Sequence, residues 1–235
     1  MKVIILAGGF GTRLCSVLKD QPKPMAPVGN KSFLEIIIQL LKKHGQKDLI
    51  FCVHYQAEKF MDYFGDGSRF GVQISYSLED LPLGTGGAIG LLRDKLKETF
   101  CVLNGDSYQE LDFKDCLIKH RTSGAICTMS LAEVSDSSRY GLVRTDEQGY
   151  VRDFREKSSC AAQGYVNAGL YIFEPEVFDY ILVNEVISLE KDVLPLIIKH
   201  GQKIYSYKNI RNFFDIGIPD DYYSFLQWAG RENNI

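Results

Sequence analysis

The sequence is most informative first in what it lacks. Its six cysteines form no C-x-x-C pair, and its four histidines show no metal-ligand spacing. Half of the cysteines lie in apolar runs such as Phe100-Cys101-Val102-Leu103. They are expected to be reduced, mostly buried thiols of a cytosolic protein, which argues against a disulfide framework. Charge of one sign is also missing, because 27 Lys and Arg stand against 30 Asp and Glu, a net charge of -3. No strong basic field exists to attract nucleic acid or anionic lipid, so any phosphate must be held by a few placed groups. No apolar stretch approaches the ~18 residues needed to cross a bilayer. The run at residues 1–6 is too short for a signal-peptide core, and no cleavage site follows it. Linkers, low-complexity segments and hexapeptide repeats are likewise missing, so no fused β-helical extension is expected.

What remains is an ordinary packed composition, 45% hydrophobic and 24% charged over 235 residues. That length suits one α/β domain. Short apolar runs at residues 3–6, 49–53, 73–77 and 100–103 read as strands. Between them, residues 32–43, 57–64, 86–96 and 112–121 read as helices. In residues 32–43, Phe33, Ile36, Ile37, Leu40 and Leu41 share one face, and Ser32 with Glu35 fits a capping box. The alternation predicts a mostly parallel sheet with helices on both faces. Beyond residue 110 the character changes. Residues 125–131, 141–145, 151–155 and 166–173 read as strands, and 190–200 and 219–228 as helices. This shift is expected to mark two halves of one domain, about 1–110 for nucleotide and about 111–235 for a second substrate.

The strongest local signal follows the first strand: Leu6-Ala7-Gly8-Gly9-Phe10-Gly11-Thr12-Arg13-Leu14. Ligands of open parallel sheets gather at the carboxyl ends of strands. Glycines there let backbone N–H groups close on an anion, and Arg13 adds a fixed charged fork. Leu14 stands where a dinucleotide fingerprint needs its third glycine, and the Gly-Lys-Ser/Thr of a Walker A loop is missing. In Pro22-Lys23-Pro24-Met25 two prolines stiffen the backbone around one lysine. Gly84 to Gly87 open a helix whose first N–H groups are unpaired donors. Asn104-Gly105-Asp106 ends a buried strand and places a carboxylate where a hard cation could be held, although Gly-Asp also suits a plain turn.

Gly-Gly-Phe-Gly-Thr-Arg-Leu followed by Pro-Lys-Pro-Met resembles the signature of the sugar-1-phosphate nucleotidyltransferases, and the match extends over roughly residues 1–225. The resemblance implies a Rossmann-like, doubly wound, mostly parallel mixed sheet with helices on both faces, and a two-metal transfer of a nucleotidyl group from a nucleoside triphosphate to a sugar 1-phosphate. It implies that Gly8, Gly9, Gly11, Thr12 and Arg13, entered from Leu6 and Ala7, wrap the triphosphate, and that Lys23 contacts phosphates. Glu79 begins a second loop, in which Gly84 and Thr85 would contact the base. Asp106 and Asp215 would hold Mg2+. Tyr140 and Gly141 would face the sugar, Glu156 its hydroxyls, Lys157 its phosphate, and Asn167, in Asn167-Ala168-Gly169, would orient it. The implied catalytic groups are Arg13, Lys23 and Asp106.

Phe214-Asp215-Ile216-Gly217-Ile218-Pro219 has isoleucine where the family's closing element usually has threonine. This form resembles enzymes that join GTP to D-glycero-α-D-manno-heptose 1-phosphate. Mannose 1-phosphate with GTP, and short relatives using UTP or CTP, stay open beside it. A sugar-nucleotide sensor with a dead active site would lack the aspartates, Arg13 or the lysines, and all are present. A homodimer is compatible with the sequence, and neither nucleic acid nor membrane is expected as a partner.

Overall fold

The computed structural model describes residues 1–9, 14–18, 21–155, 162–182 and 185–231. In chain order the strands and helices are β1 (Lys2–Leu6), α1 (Cys15–Leu18), β2 (Pro27–Val28), β3 (Lys31–Ser32), α2 (Phe33–Lys43), β4 (Asp48–Val53), α3 (Ala57–Phe64), β5 (Gln73–Leu78), α4 (Gly84–Gly90), β6 (Phe100–Asn104), β7 (Ser107–Leu111), α5 (Phe113–Ser123), β8 (Cys127–Val134), β9 (Leu142–Thr145), β10 (Val151–Arg155), β11 (Gly164–Phe173), α6 (Leu194–Lys199), β12 (Ile204–Tyr207), β13 (Ile210–Asp215) and α7 (Pro219–Arg231).

Strands β5, β4, β1 and β6 are parallel neighbours in a nine-stranded sheet. Strand β11 then runs against β6, and β8 and β9 both pair with β11. Within this sheet only β10 and β11 oppose the common direction, which gives the mostly parallel sheet expected from the alternation and the doubly wound, mixed form that the resemblance implies.

The continuous apolar runs are explained by burial on both faces. Val3 and Ile5 of β1 enter one core with α2, α3 and α7, whereas Ile4 enters another with α4 and α6. Strand β6 divides the same way, with Cys101 and Leu103 on one side and Phe100 and Val102 on the other. A strand covered twice needs no polar face, so its sequence shows no alternation. Among the described residues Cys52, Cys101, Cys116 and Cys127 are buried free thiols, as expected, and burial raises the pKa of each.

Several local expectations are corrected. The Ser32 hydroxyl does cap α2 by accepting from the Glu35 backbone N–H at 3.2 Å. The other arm of the capping box is not made, because the Glu35 carboxylate accepts from Tyr63 and Gln39 instead. The helix expected over 86–96 starts earlier, at Gly84, and stops at Gly90, beyond which the chain continues as turns. Residues 190–200 divide into a π-helical turn, Leu189–Val193, and α6. Strands β7, β12 and β13 were not anticipated, and the β7–β13 pair is decisive for the site. No helix among the described residues is long and apolar enough to cross a membrane.

Candidate active site

The site forms where the carboxyl ends of β1 and β6 come together. The Gly105 N–H donates to the Leu6 carbonyl at 2.9 Å, tying the turn after β6 to the end of β1. The chain then enters β7, which pairs antiparallel with β13, and Ser107 lies opposite Asp215. The Ile216 N–H donates to the Asp106 carbonyl at 3.0 Å. This small ribbon brings together two carboxylates that are more than one hundred residues apart in the chain.

Lys23 lies between them. Its Nζ is 2.5 Å from Asp106 Oδ2 and 3.7 Å from Asp215 Oδ1. Pro22 precedes a short 3-10 turn over Lys23–Met25, Pro24 lies within it, and the lysine between the two prolines is buried. Its stem packs while its ammonium reaches the acids. Two carboxylates against one ammonium leave net negative charge. Burial, and then the neighbouring charge of Asp106, push the Asp215 carboxyl above its ordinary range, and Lys23 opposes this only in part.

Beside Lys23 and Asp106 lies a cavity of about 370 Å³. Leu6, Ala7, Gly8 and Gly9 form one wall, Lys23 and Asp106 another, and Glu79, Gly84 and Thr85 a third. Nine residues chosen from sequence thus face one space. Pro24, Cys52, Pro82, Ala88, Asn104 and Gly217 complete it. Asn104 adjoins the Gly-Asp pair and was legible from its place at the strand end, whereas nothing local marks Cys52 or Ala88. Among the described residues Asn104 Oδ1 is buried without a hydrogen-bond partner, which is uncommon for a buried acceptor.

The second loop is shaped by contact with residue 187. Gly84 has φ +73°, and a Cβ there would lie 2.6 Å from the Ile187 carbonyl oxygen, so glycine is required on both counts. The N–H groups of Gly86 and Gly87 donate to that same carbonyl, at 2.8 and 3.3 Å. This corrects the expectation of an open donor set at the helix start, since these two donors already have a partner. Glu79 holds the loop, its Oε2 accepting from the Leu83 N–H at 3.0 Å. Burial raises the pKa of the Glu79 carboxyl.

A second cavity, about 380 Å³, opens beside Asp215 and contains Tyr140, Arg139, Phe213 and Asp221. Arg139 makes a two-pronged pair with Asp221 at 2.6 and 3.0 Å and lies over the Tyr140 ring. Gly141 follows, immediately before β9. Asn167 lies where β11 bends. Its Oδ1 accepts from the Gly169 N–H at 3.0 Å, and its Nδ2 donates to the Tyr171 hydroxyl at 2.6 Å. Gly11, Thr12, Arg13, Glu156 and Lys157 lie outside the described residues. Sequence reasoning missed Glu190, which accepts from Thr85, Tyr171 and Ser188.

The sequence pattern that defines the nucleotidyl transferase family matches residues 2–229. The chain belongs to that family. Within this nucleotidyl transferase family it is 40% identical to the D-glycero-alpha-D-manno-heptose 1-phosphate guanylyltransferase of Campylobacter jejuni, over 96% of this chain and 99% of that protein. It is 37% identical to the mannose-1-phosphate guanylyltransferase of Mycobacterium tuberculosis, over 93% of this chain and 62% of that longer protein. The structure of HddC from Yersinia pseudotuberculosis complexed with GMP-PN superimposes with a TM-score of 0.84 at 33% identity, covering 97% of this chain and 98% of HddC.

Proposed function

We propose that this nucleotidyltransferase moves GMP from GTP to D-glycero-α-D-manno-heptose 1-phosphate, giving GDP-heptose and pyrophosphate for polysaccharide synthesis in the cytoplasm. The observation that carries this reading is the convergence of Asp106, Asp215 and Lys23 over a cavity walled by the glycine turn after β1. Two similar proteins are guanylyltransferases, and one of them acts on this heptose phosphate. Glu79 fits a guanine. Its carboxylate is an acceptor at the cavity wall, and guanine's base-pairing edge offers adjacent N–H donors.

Donor chemistry supports Mg2+ here. A hard cation of this size takes one or two carboxylates and completes its shell with water and substrate phosphates. Asp106 and Asp215 supply those carboxylates, and their charge exceeds what Lys23 neutralises. Once bound, the ion would lower the repulsion between the two anionic substrates and polarise the phosphoryl oxygens.

A phosphate oxygen of the sugar 1-phosphate attacks the α-phosphorus of GTP. A new P–O bond forms as the bond to the bridging oxygen breaks, and pyrophosphate departs with that electron pair. Such transfers depend on positioning and charge neutralisation, without a side-chain nucleophile. Backbone N–H groups from Gly8 to Gly11 with Arg13 would hold the departing phosphates. Lys23, already aimed into the cavity, meets charge developing at the α-phosphate. Lys157 would fix the attacking phosphate, while Glu156, Asn167, Tyr140 and Gly141 would face the sugar.

The deciding experiment is pyrophosphate release from a panel of four nucleoside triphosphates against heptose, mannose and glucose 1-phosphates. GTP with the manno-heptose phosphate should give the highest kcat/KM. A preference for UTP or CTP overturns the base assignment, and a preference for mannose 1-phosphate overturns the sugar assignment while leaving guanine in place.

A further inference from the structure

Glu190 stands in neither cavity wall, yet it joins the two halves of the site. The π-helical turn Leu189–Val193 presents it, and such turns recur at functional positions. Ser188 opens the turn by accepting from the Lys191 N–H at 3.2 Å. The Glu190 carboxylate receives three hydrogen bonds. Thr85 Oγ1 and Ser188 Oγ donate to Oε2 at 3.0 Å each, and the Tyr171 hydroxyl donates to Oε1 at 3.1 Å.

Because a carboxylate only accepts, the direction of every bond beyond it is set. Thr85 must donate to Glu190, so its oxygen accepts from the Leu189 N–H at 2.8 Å. Tyr171, fully buried, must also donate to Glu190, so its oxygen accepts from Asn167 Nδ2 at 2.6 Å. The same sense is set from the other end, where the Gly169 N–H donates to Asn167 Oδ1 at 3.0 Å. The second N–H of the Asn167 amide is left as a donor of fixed orientation.

We infer that Glu190 is a positioning residue, which through Tyr171, and together with the Gly169 N–H, holds Asn167 so that it presents an N–H to a sugar hydroxyl, while bracing Thr85 in the nucleotide loop. This rests on reading Asn167 as a sugar contact. A neutral amide at 190 has a single acceptor oxygen, so it cannot accept from Tyr171 on one side and from Thr85 and Ser188 on the other, and one of these links is lost. A phenyl ring at 171 keeps the packing and removes the link.

The test compares Glu190→Gln, Tyr171→Phe and Asn167→Ala by steady-state kinetics in both substrates. Each should raise KM for the sugar 1-phosphate about tenfold, the effect of losing one oriented hydrogen bond. KM for GTP and kcat should hold in Tyr171→Phe. The double variant Asn167→Ala with Tyr171→Phe should be no worse than Asn167→Ala alone, because both break one chain. A raised KM in Asn167→Ala with normal values in the other two overturns the role of Glu190 and leaves the sugar contact standing. Additive losses in the double variant do the same. An unchanged KM in Asn167→Ala overturns the sugar contact and the inference with it. If Tyr171→Phe fails to fold, Glu190→Gln, at a partly exposed position, carries the same comparison.

Discussion

Replacing Lys23 by methionine probes the centre of the site. Methionine keeps most of the stem volume and removes the charge, so two carboxylates are left facing each other. The side chain of Lys23 is 11% exposed and those of Asp106 and Asp215 are 33% and 30% exposed. Deleting one partner of a fully buried pair costs about 3–5 kcal/mol, and a surface pair is worth about 0–1. With the lysine buried and the acids partly wet, about 2 kcal/mol is expected, or about 4–8 °C in Tm for a chain of this size. Activity should fall by about 10²–10³, as for other lost contacts to developing charge. Thermal melts with and without Mg2+ then separate structure from chemistry. The variant should be less stable without the ion and should gain more from it than the wild type does, because no ammonium competes for the acids. Adding Asp215→Asn to Lys23→Met should restore much of the lost Tm by removing the like charge. An unchanged melt in Lys23→Met, or an equal response to Mg2+ in both proteins, would refute the argument that Lys23 neutralises this pair.

Other expectations follow from neighbouring geometry. Asp215→Asn alone should lose most activity yet melt higher than the wild type near neutral pH. The raised pKa means that the folded state holds this proton more tightly than the unfolded chain. The resulting stability is present below the ordinary carboxylate range and lost as pH rises through the raised pKa, so the advantage of the variant should vanish on acidification; a lower melt at neutral pH contradicts this. Gly169→Ala should destabilise by about 1 kcal/mol or more, since φ is +79° and the new Cβ would lie 2.7 Å from Asn104 Nδ2. Denaturant unfolding checks this, and wild-type stability would show that β11 does not need glycine at its bend.

The β1, α2, β4, α3, β5 and β6 segments were readable because each is a local matter of period and apolar content. Strands covered on both faces announce themselves as unbroken apolar runs, and α2 by its recurring face. Local chemistry likewise pointed to Gly8, Gly9, Lys23 and Asp106, where glycine, restrained lysine and a strand-end acid follow the parallel strands. Strands β7 and β13 were hidden for a physical reason. Their sequences, Ser107-Tyr-Gln-Glu-Leu111 and Ile210-Arg-Asn-Phe-Phe-Asp215, mix polar and aromatic residues, because β13 is only partly buried and β7, though mostly buried, takes the polar Ser107 and Gln109 inside with it.

Sequence alone therefore determined the alternating architecture, the glycine turn and the residue types available for phosphate. Resemblance supplied Asp215, but not the means of its approach to Asp106. Only the tertiary structure decided that the β7–β13 register carries the second acid to the first, that Lys23 lies between them, and that Glu190 links Thr85 to Asn167. Pairing between strands so far apart depends on contacts that no local window contains, and a buried carboxylate acquires its role from the donors that the fold places around it.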